Sequence, residues 1–159
     1  MFREMRRKKQ QLSEFECIDI LNRMTSGTLA IEGDENYPYA VPLSFAYDNG
    51  KIYFHSAKAG HKIDALKRND KASFCVIAQD NVKPEEYTTY FKSVIAFGKL
   101  RILTGTQEKY AALQLLADKY APGETKNRQK EIGKGFDSLL ILELNIEHLT
   151  GKQAIELSR

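Results

Sequence analysis

The chain has 159 residues, with 24 Lys and Arg against 21 Asp and Glu for a formal charge of +3. Hydrophobic residues make up 42% and charged residues 28%, which excludes a disordered or fibrous chain and points to a single globular domain over 1–159. The longest mostly apolar runs, Ser93–Gly98 and Leu139–Leu144, fall far short of a membrane span, which needs about 20 apolar residues. The basic start is followed by no apolar stretch, so it does not read as a signal peptide. Cys17 and Cys75 form no C-x-x-C pair or Cys/His cluster, so neither a disulfide framework nor a metal site is expected. The expected setting is cytoplasmic, away from membranes. Residues 1–9 carry five basic groups and one acid, and the other 150 residues carry 19 basic and 20 acidic groups. A nucleic-acid binder concentrates basic charge on its folded body, and a neutral body argues against that partner.

After a basic leader (1–12), Ser13-Glu-Phe-Glu16 forms a capping box. Cys17, Ile20, Leu21 and Met24 then fall on one helical face, ending at Gly27. Thr28–Glu32 reads as a strand and Gly33–Asn36 as a turn. Tyr39–Tyr47 alternates, and Asp48-Asn49-Gly50 is a hairpin turn leading into strand Ile52–Ser56. Gly60–Asn69 suits a short helix with Ile63 and Leu66 inward, and Lys71–Ala78 a strand. Polar Gln79–Glu86 separates it from a long strand-like run, Tyr90–Leu103. Thr106–Tyr120 reads as a helix with Tyr110, Leu113, Ala117 and Tyr120 in one stripe. Ala121–Gly135, holding one proline and three glycines, reads as a loop, and Ser138–Ile146 as a last strand. About six hairpin-linked strands and three helices, with no βαβ alternation, predict a mainly β member of the α+β class: an antiparallel barrel with peripheral helices.

Three segments can carry chemistry. In Tyr39–Tyr47 one face shows large Val41, Leu43, Phe45 and Tyr47, and the other small Ala40, Pro42, Ser44 and Ala46. Small residues leave room for a flat ligand or for a closely packed helix, and Pro42 suggests a sheet edge. In Phe54–Lys62 a strand ends and a helix begins among His55, Ser56, Lys58, Gly60, His61 and Lys62. A helix N-terminus with nearby cations suits a phosphate; the alternative is a solvated basic turn. Near Thr88–Ser93, Tyr87, Tyr90 and Phe91 can stack on a ring or pack a rim. His148 reads as structural, and the two cysteines as small core residues.

The run Tyr37–Asp64, with Phe54-His-Ser-Ala-Lys-Ala-Gly-His-Lys62 at its heart, resembles the signature of the pyridoxamine-phosphate-oxidase-like flavoproteins. It is most similar to the subgroup of 5-nitroimidazole-resistance proteins, which also resembles this chain in its Arg-Arg-Lys-Lys leader and at Thr88–Gly98. The resemblance implies a split β-barrel that forms a homodimer and binds FMN in clefts between the subunits. Carried over, Val41, Pro42, Leu43 and Ser44 lie along the flavin ring, and His55 and Ser56 touch the flavin or its phosphate arm. Gly60, His61 and Lys62 form the phosphate turn, and Ser93 faces the flavin. True pyridoxamine-phosphate oxidases have Arg-Lys at the turn and Trp and Arg residues near the C-terminus. Here the turn is His61-Lys62, Trp is absent, and Arg159 is the sole Arg after Arg128, which argues against vitamin B6 oxidation. The implied activity is FMN-dependent reduction of a small acceptor such as a nitro compound, with NAD(P)H as donor. The alternatives are a flavin-binding redox sensor or a haem protein using His55 or His61 as axial ligand.

Overall fold

A computed structural model of the chain describes residues 1–124 and 126–159. Seven antiparallel strands form one sheet in the order β2-β1-β5-β6-β7-β4-β3. They are β1 (Ser26–Glu32), β2 (Pro38–Ser44), β3 (Ala46–Asp48), β4 (Lys51–Ser56), β5 (Lys71–Lys83), β6 (Thr88–Ile102) and β7 (Leu140–Gln153). The α-helices are α1 (Glu14–Arg23), α2 (His61–Arg68), α3 (Thr106–Tyr120) and α4 (Arg128–Phe136).

The topology forces closure. The edge strands β2 and β3 are joined through a single residue, Phe45. A flat sheet would hold them six interstrand spacings of about 4.8 Å apart, roughly 29 Å, whereas two peptide units reach about 7 Å. The sheet therefore curls until its edges meet, and no ladder joins β2 to β3 among the described residues. This is a split barrel, as the α+β reading expected. Phe45 spans the seam, and the Tyr120 hydroxyl from α3 sits 2.8 Å from both its amide nitrogen and its carbonyl oxygen, supplying partners that a neighbouring strand would otherwise provide.

The barrel is filled by Leu29, Ile31, Phe45, Ile52, Phe54, Phe74, Val76, Val94, Leu142 and Leu144. Helix α1 adds Cys17, Ile20 and Leu21, with the Ser13/Glu16 capping box in place. Cys17 is shut into this core, and burial pushes its thiol up to about 11, so it behaves as a small apolar residue. Helix α2 closes one end with Ile63, Ala65 and Leu66. At the hairpin, Asn49 and Gly50 both take positive φ, as a type I′ turn requires.

Six sequence expectations change. Cys75 is half-buried on the outer sheet face rather than in the core. The first helix ends at Arg23, and Gly27 lies inside β1. Strand β5 runs on through Gln79–Lys83, because an edge-exposed ribbon paired with Thr88–Lys92 tolerates polar residues on both faces. Strand β7 continues to Gln153, carrying His148 into the sheet. Helix α3 buries Ala112 and Leu116 rather than the stripe of Tyr110, Leu113, Ala117 and Tyr120. Its apolar residues surround the axis, so the second core layer of Ala46, Leu103 and Ile141 selected the face. Part of the expected loop is helix α4: Ile132 is buried, and Arg128 bonds to Asp118 and to the Ala121 carbonyl. These contacts offset the poor propensity of Gly133 and Gly135. Position 125, inside that loop, lies outside the described residues.

At the bulge after Phe97, β6 and β7 approach so closely that a Cβ on Gly98 would overlap the Asn145 carbonyl oxygen and lie 2.8 Å from its carbon. Both obstacles are backbone. Gly98→Ala is expected to cost about 3 kcal/mol, the upper end for overpacking. The check is a lower urea midpoint with the m-value unchanged; a midpoint at the wild-type value would show that the ladder yields freely.

Candidate functional site

Strand pleating sorts the expected ligand residues. Along β2, Tyr39, Val41 and Leu43 turn inward onto the core, and Ala40, Pro42 and Ser44 are exposed. Pro42 sits on an edge strand, where its missing N–H leaves no central ladder incomplete. The small-residue face divides at Phe45: Ala46 is buried against α3, so a helix takes that position, while Ala40, Pro42 and Ser44 stay open. Both explanations of the small residues hold, for different members of the set.

His55 and Ser56 lie on opposite faces of β4. His55 is exposed, and Ser56 is buried with its hydroxyl donating to the Ala57 carbonyl at 3.0 Å. Ser56 thus marks where the strand ends and the chain turns. Gly60 follows at φ +138°, in a region L side chains rarely adopt, with nothing within 4 Å of where a Cβ would point. As N-cap of α2 it offers no side chain to the first turn. The first hydrogen bond back into the helix is from the Asp64 N–H to the Gly60 carbonyl, leaving the N–H groups of His61, Lys62 and Ile63 without a partner in the helix. Lys62, half-buried, adds a cation to this positive dipole end.

His61 has a second task. Its Nε2 accepts the Asp34 amide N–H at 3.2 Å, and its ring packs on Tyr39 with centroids 4.0 Å apart. A Cβ on Gly33 would come within 2.9 Å of that Nε2. This bond places the neutral ring's proton on Nδ1, the nitrogen left to donate. It also fastens the start of α2 beside the first residues of β2, so the cationic turn and the small-residue strand are joined by one side chain.

Ser93 lies elsewhere in the chain. Its neighbours are Ile77 on β5 and Lys152 on β7. It shares the outer sheet face with Ala40, Pro42 and Ser44 but is separated from β2 by β1 and β5, about 14 Å at the usual spacing. That outer face is crossed by the leader, at Phe2 and again at residues 5–7. Pro42, Thr28, Cys75, Ile95 and Thr150 are successive cross-strand neighbours, and Ala40, Ala30, Ser73, Phe97 and His148 form the next row. The concavity of about 760 Å³ on this side is lined by Ala30, Ser73, Phe97 and Gly98, with Phe2 of the leader as a wall, and stands apart from the α2 turn. Phe2 stacks on His148 at 4.8 Å. The sequence reading missed Arg6, Arg7 and Lys152, which line one cleft with Ser93; nothing in the spacing of residues so far apart announces it.

An open strand of small residues beside an uncapped cationic helix start fits a ligand with a flat ring and a phosphate tail, as a flavin has. The family profile of pyridoxamine 5'-phosphate oxidase matches residues 13–153. The chain belongs to the pyridoxamine 5'-phosphate oxidase family.

Solved structures place this family member among flavin-binding split barrels in fold. A candidate 5-nitroimidazole antibiotic resistance protein from Bacteroides thetaiotaomicron is 21% identical with a TM-score of 0.78, over 90% of this chain and 86% of that one. An FAD-binding protein from Mesorhizobium loti is 25% identical with a TM-score of 0.67, over 91% and 97%. An FAD- and haem-binding protein from Mycobacterium smegmatis is 23% identical with a TM-score of 0.76, over 92% and 73%. No curated protein matches the chain significantly. No helix among the described residues is long and apolar enough to cross a membrane.

Proposed function

We propose that this family member is an FMN-dependent oxidoreductase working as a homodimer. The observation that carries the reading is the junction of β2 and α2: Ala40, Pro42 and Ser44 open to one side, the unpartnered N–H groups of His61, Lys62 and Ile63 at its end, and Lys62 as counter-charge. On this reading the backbone of Val41–Ser44 backs the ring, and Ser56, Gly60, His61 and Lys62 shape the phosphate turn. When bound, the flavin supplies the redox chemistry, accepting hydride from NAD(P)H and passing electrons to a small organic acceptor such as a nitro compound. The protein's residues position it and neutralise its phosphate.

The placement of Ser93 three strands away from β2 supports the dimer. Within one chain β1 and β5 lie between the two, whereas a second copy docked on the outer face would deliver its own Ser93 to the β2 of the first. Ile77 and Ile95 are exposed on that face beside the leader.

The test is the protein as purified or incubated with FMN. Expected are a flavin absorption spectrum, flavin fluorescence released on denaturation, a dimeric mass, and oxidation of NAD(P)H when a nitroaromatic acceptor is added. A colourless protein that takes up no FMN overturns the reading, and a Soret band would replace it with haem binding. Bound flavin without turnover would make the chain a sensing module rather than an enzyme.

A further inference from the structure

The leader is held in place by the end of the chain. Leu12 donates its N–H to the Gly151 carbonyl at 2.9 Å, and Gln11 bridges to Lys152. A Cβ on Gly151 would lie 2.5 Å from the Cys17 sulfur and 2.9 Å from Leu12, so only glycine lets the leader lie this close. The result is a cleft of about 280 Å³ between residues 5–7 and the β6/β7 pair. Arg6, Arg7 and Lys152 line it with the hydroxyl-bearing Ser93 and Thr150, and no carboxylate is among its lining residues. Among the described residues, none of these three cations forms a salt bridge, whereas Lys8 of the same leader pairs with Glu4 at 3.3 Å.

Three cations gathered without a counter-charge repel one another unless an anion joins them. Two guanidinium forks, an ammonium held over the Phe91 ring at 5.5 Å and two hydroxyls offer donors suited to the oxygens of a phosphate or pyrophosphate. The volume lies just under the ~300–1,000 Å³ of whole small-molecule sites, which suits one charged group of a larger ligand. The cleft opens on the outer face beside Ser93, the residue a flavin-bearing dimer would bring to the ring.

We propose that the Arg6–Arg7–Lys152 cleft binds the phosphate-bearing part of a dinucleotide. The anion site stands on its own geometry; its assignment to a dinucleotide rests on the flavoenzyme reading. Two sources share this chemistry, the pyrophosphate of an FAD and the phosphates of the NAD(P)H donor.

Calorimetric titration with pyrophosphate tests the site directly, on wild-type protein and on the Arg6→Gln/Arg7→Gln and Lys152→Gln variants. Binding is expected in the wild type, weakened 10-fold or more in each variant, and weakened by added salt. Lys152→Arg is expected to keep most of it, which separates lost charge from lost structure. No binding in the wild type, or equal binding in all proteins, overturns the proposal. Flavin uptake is measured on the same samples, so loss of the flavoenzyme reading is visible separately from loss of the anion site. FAD affinity falling in the variants with FMN affinity constant assigns the phosphates to the flavin. A raised KM for NADPH at constant flavin content assigns them to the donor. If neither changes, the dinucleotide assignment is overturned.

Discussion

Phe74→Ala is expected to destabilise the protein by about 3–5 kcal/mol, the range for removing a fully buried aromatic ring. Phe74 stands on β5, an interior strand of the sheet. Its ring meets Phe45 edge-on at 5.0 Å and Phe54 at 4.9 Å, and all three rings are fully buried. Phe45 is the seam between the sheet's two edges and Phe54 belongs to β4, so this trio ties the interior of the sheet to both sides of the split. Gly27 on the neighbouring strand is shaped for the same ring: a Cβ there would lie 2.5 Å from Phe74 Cζ. At about 2–4 °C per kcal/mol for a chain of this size, the melting temperature should fall by roughly 6–20 °C. Phe74→Leu, which keeps apolar volume, should lose clearly less. A fall of under 2 °C for the alanine variant would show that the barrel does not close around this ring.

Lys62→Ala is expected to weaken FMN binding by roughly 10- to 150-fold, the equivalent of about 1.5–3 kcal/mol for one hydrogen bond to a charged group. The side chain leaves the first turn of α2, where Ile63 and Leu66 carry the packing, so the melting temperature without flavin should stay close to that of the wild type. Lys62→Arg should recover much of the affinity, because the positive charge at the helix start remains. Fluorescence titration with FMN and with riboflavin separates the phosphate from the ring: the loss should appear for FMN and be small for riboflavin. Unchanged FMN affinity would remove Lys62 from the site, and an equal loss for both ligands would move its contact from the phosphate to the ring.

The local features of the fold were legible because their causes are local. The capping box at Ser13, the α1 stripe, the Asn49-Gly50 turn and the start of α2 at Gly60 each depend on residues within a few positions of one another, and each is found as expected. The run from Ala40 to Ser44 was legible as small residues on one face. What occupies that face was not, because the answer depends on whether α3 comes near. It reaches Ala46 and stops short of the rest. Helix α4 was illegible for the opposite reason: its glycines argue against it locally, and only the burial of Ile132 and the grip of Arg128 on Asp118 and Ala121 make it helical.

The candidate site shows the same boundary. The turn from Ser56 to Lys62 is contiguous, so the sequence by itself determined its chemistry: a flexible glycine, two donors and a cation at a helix start. It could not determine that His61 reaches back to Asp34, since that needs a contact across 27 positions; that His55 and Ser56 part to opposite faces follows from alternation along the expected strand Ile52–Ser56. Glu143 is a further case. It is buried in β7 and held by Arg101 from β6 at 3.0 Å, with Arg101 also gripping Glu108 of α3 at 2.8 Å. No spacing rule relates those three residues, yet together they fix α3 to the barrel. The +3 of the whole chain follows the same pattern. Composition determined that the excess lies in the leader, but only the fold decided where it goes, because Gly151 lets the leader close against β7 and sets Arg6 and Arg7 beside Lys152. Local sequence dictates backbone preference and side-chain chemistry, while long-range packing decides which of those chemistries meet.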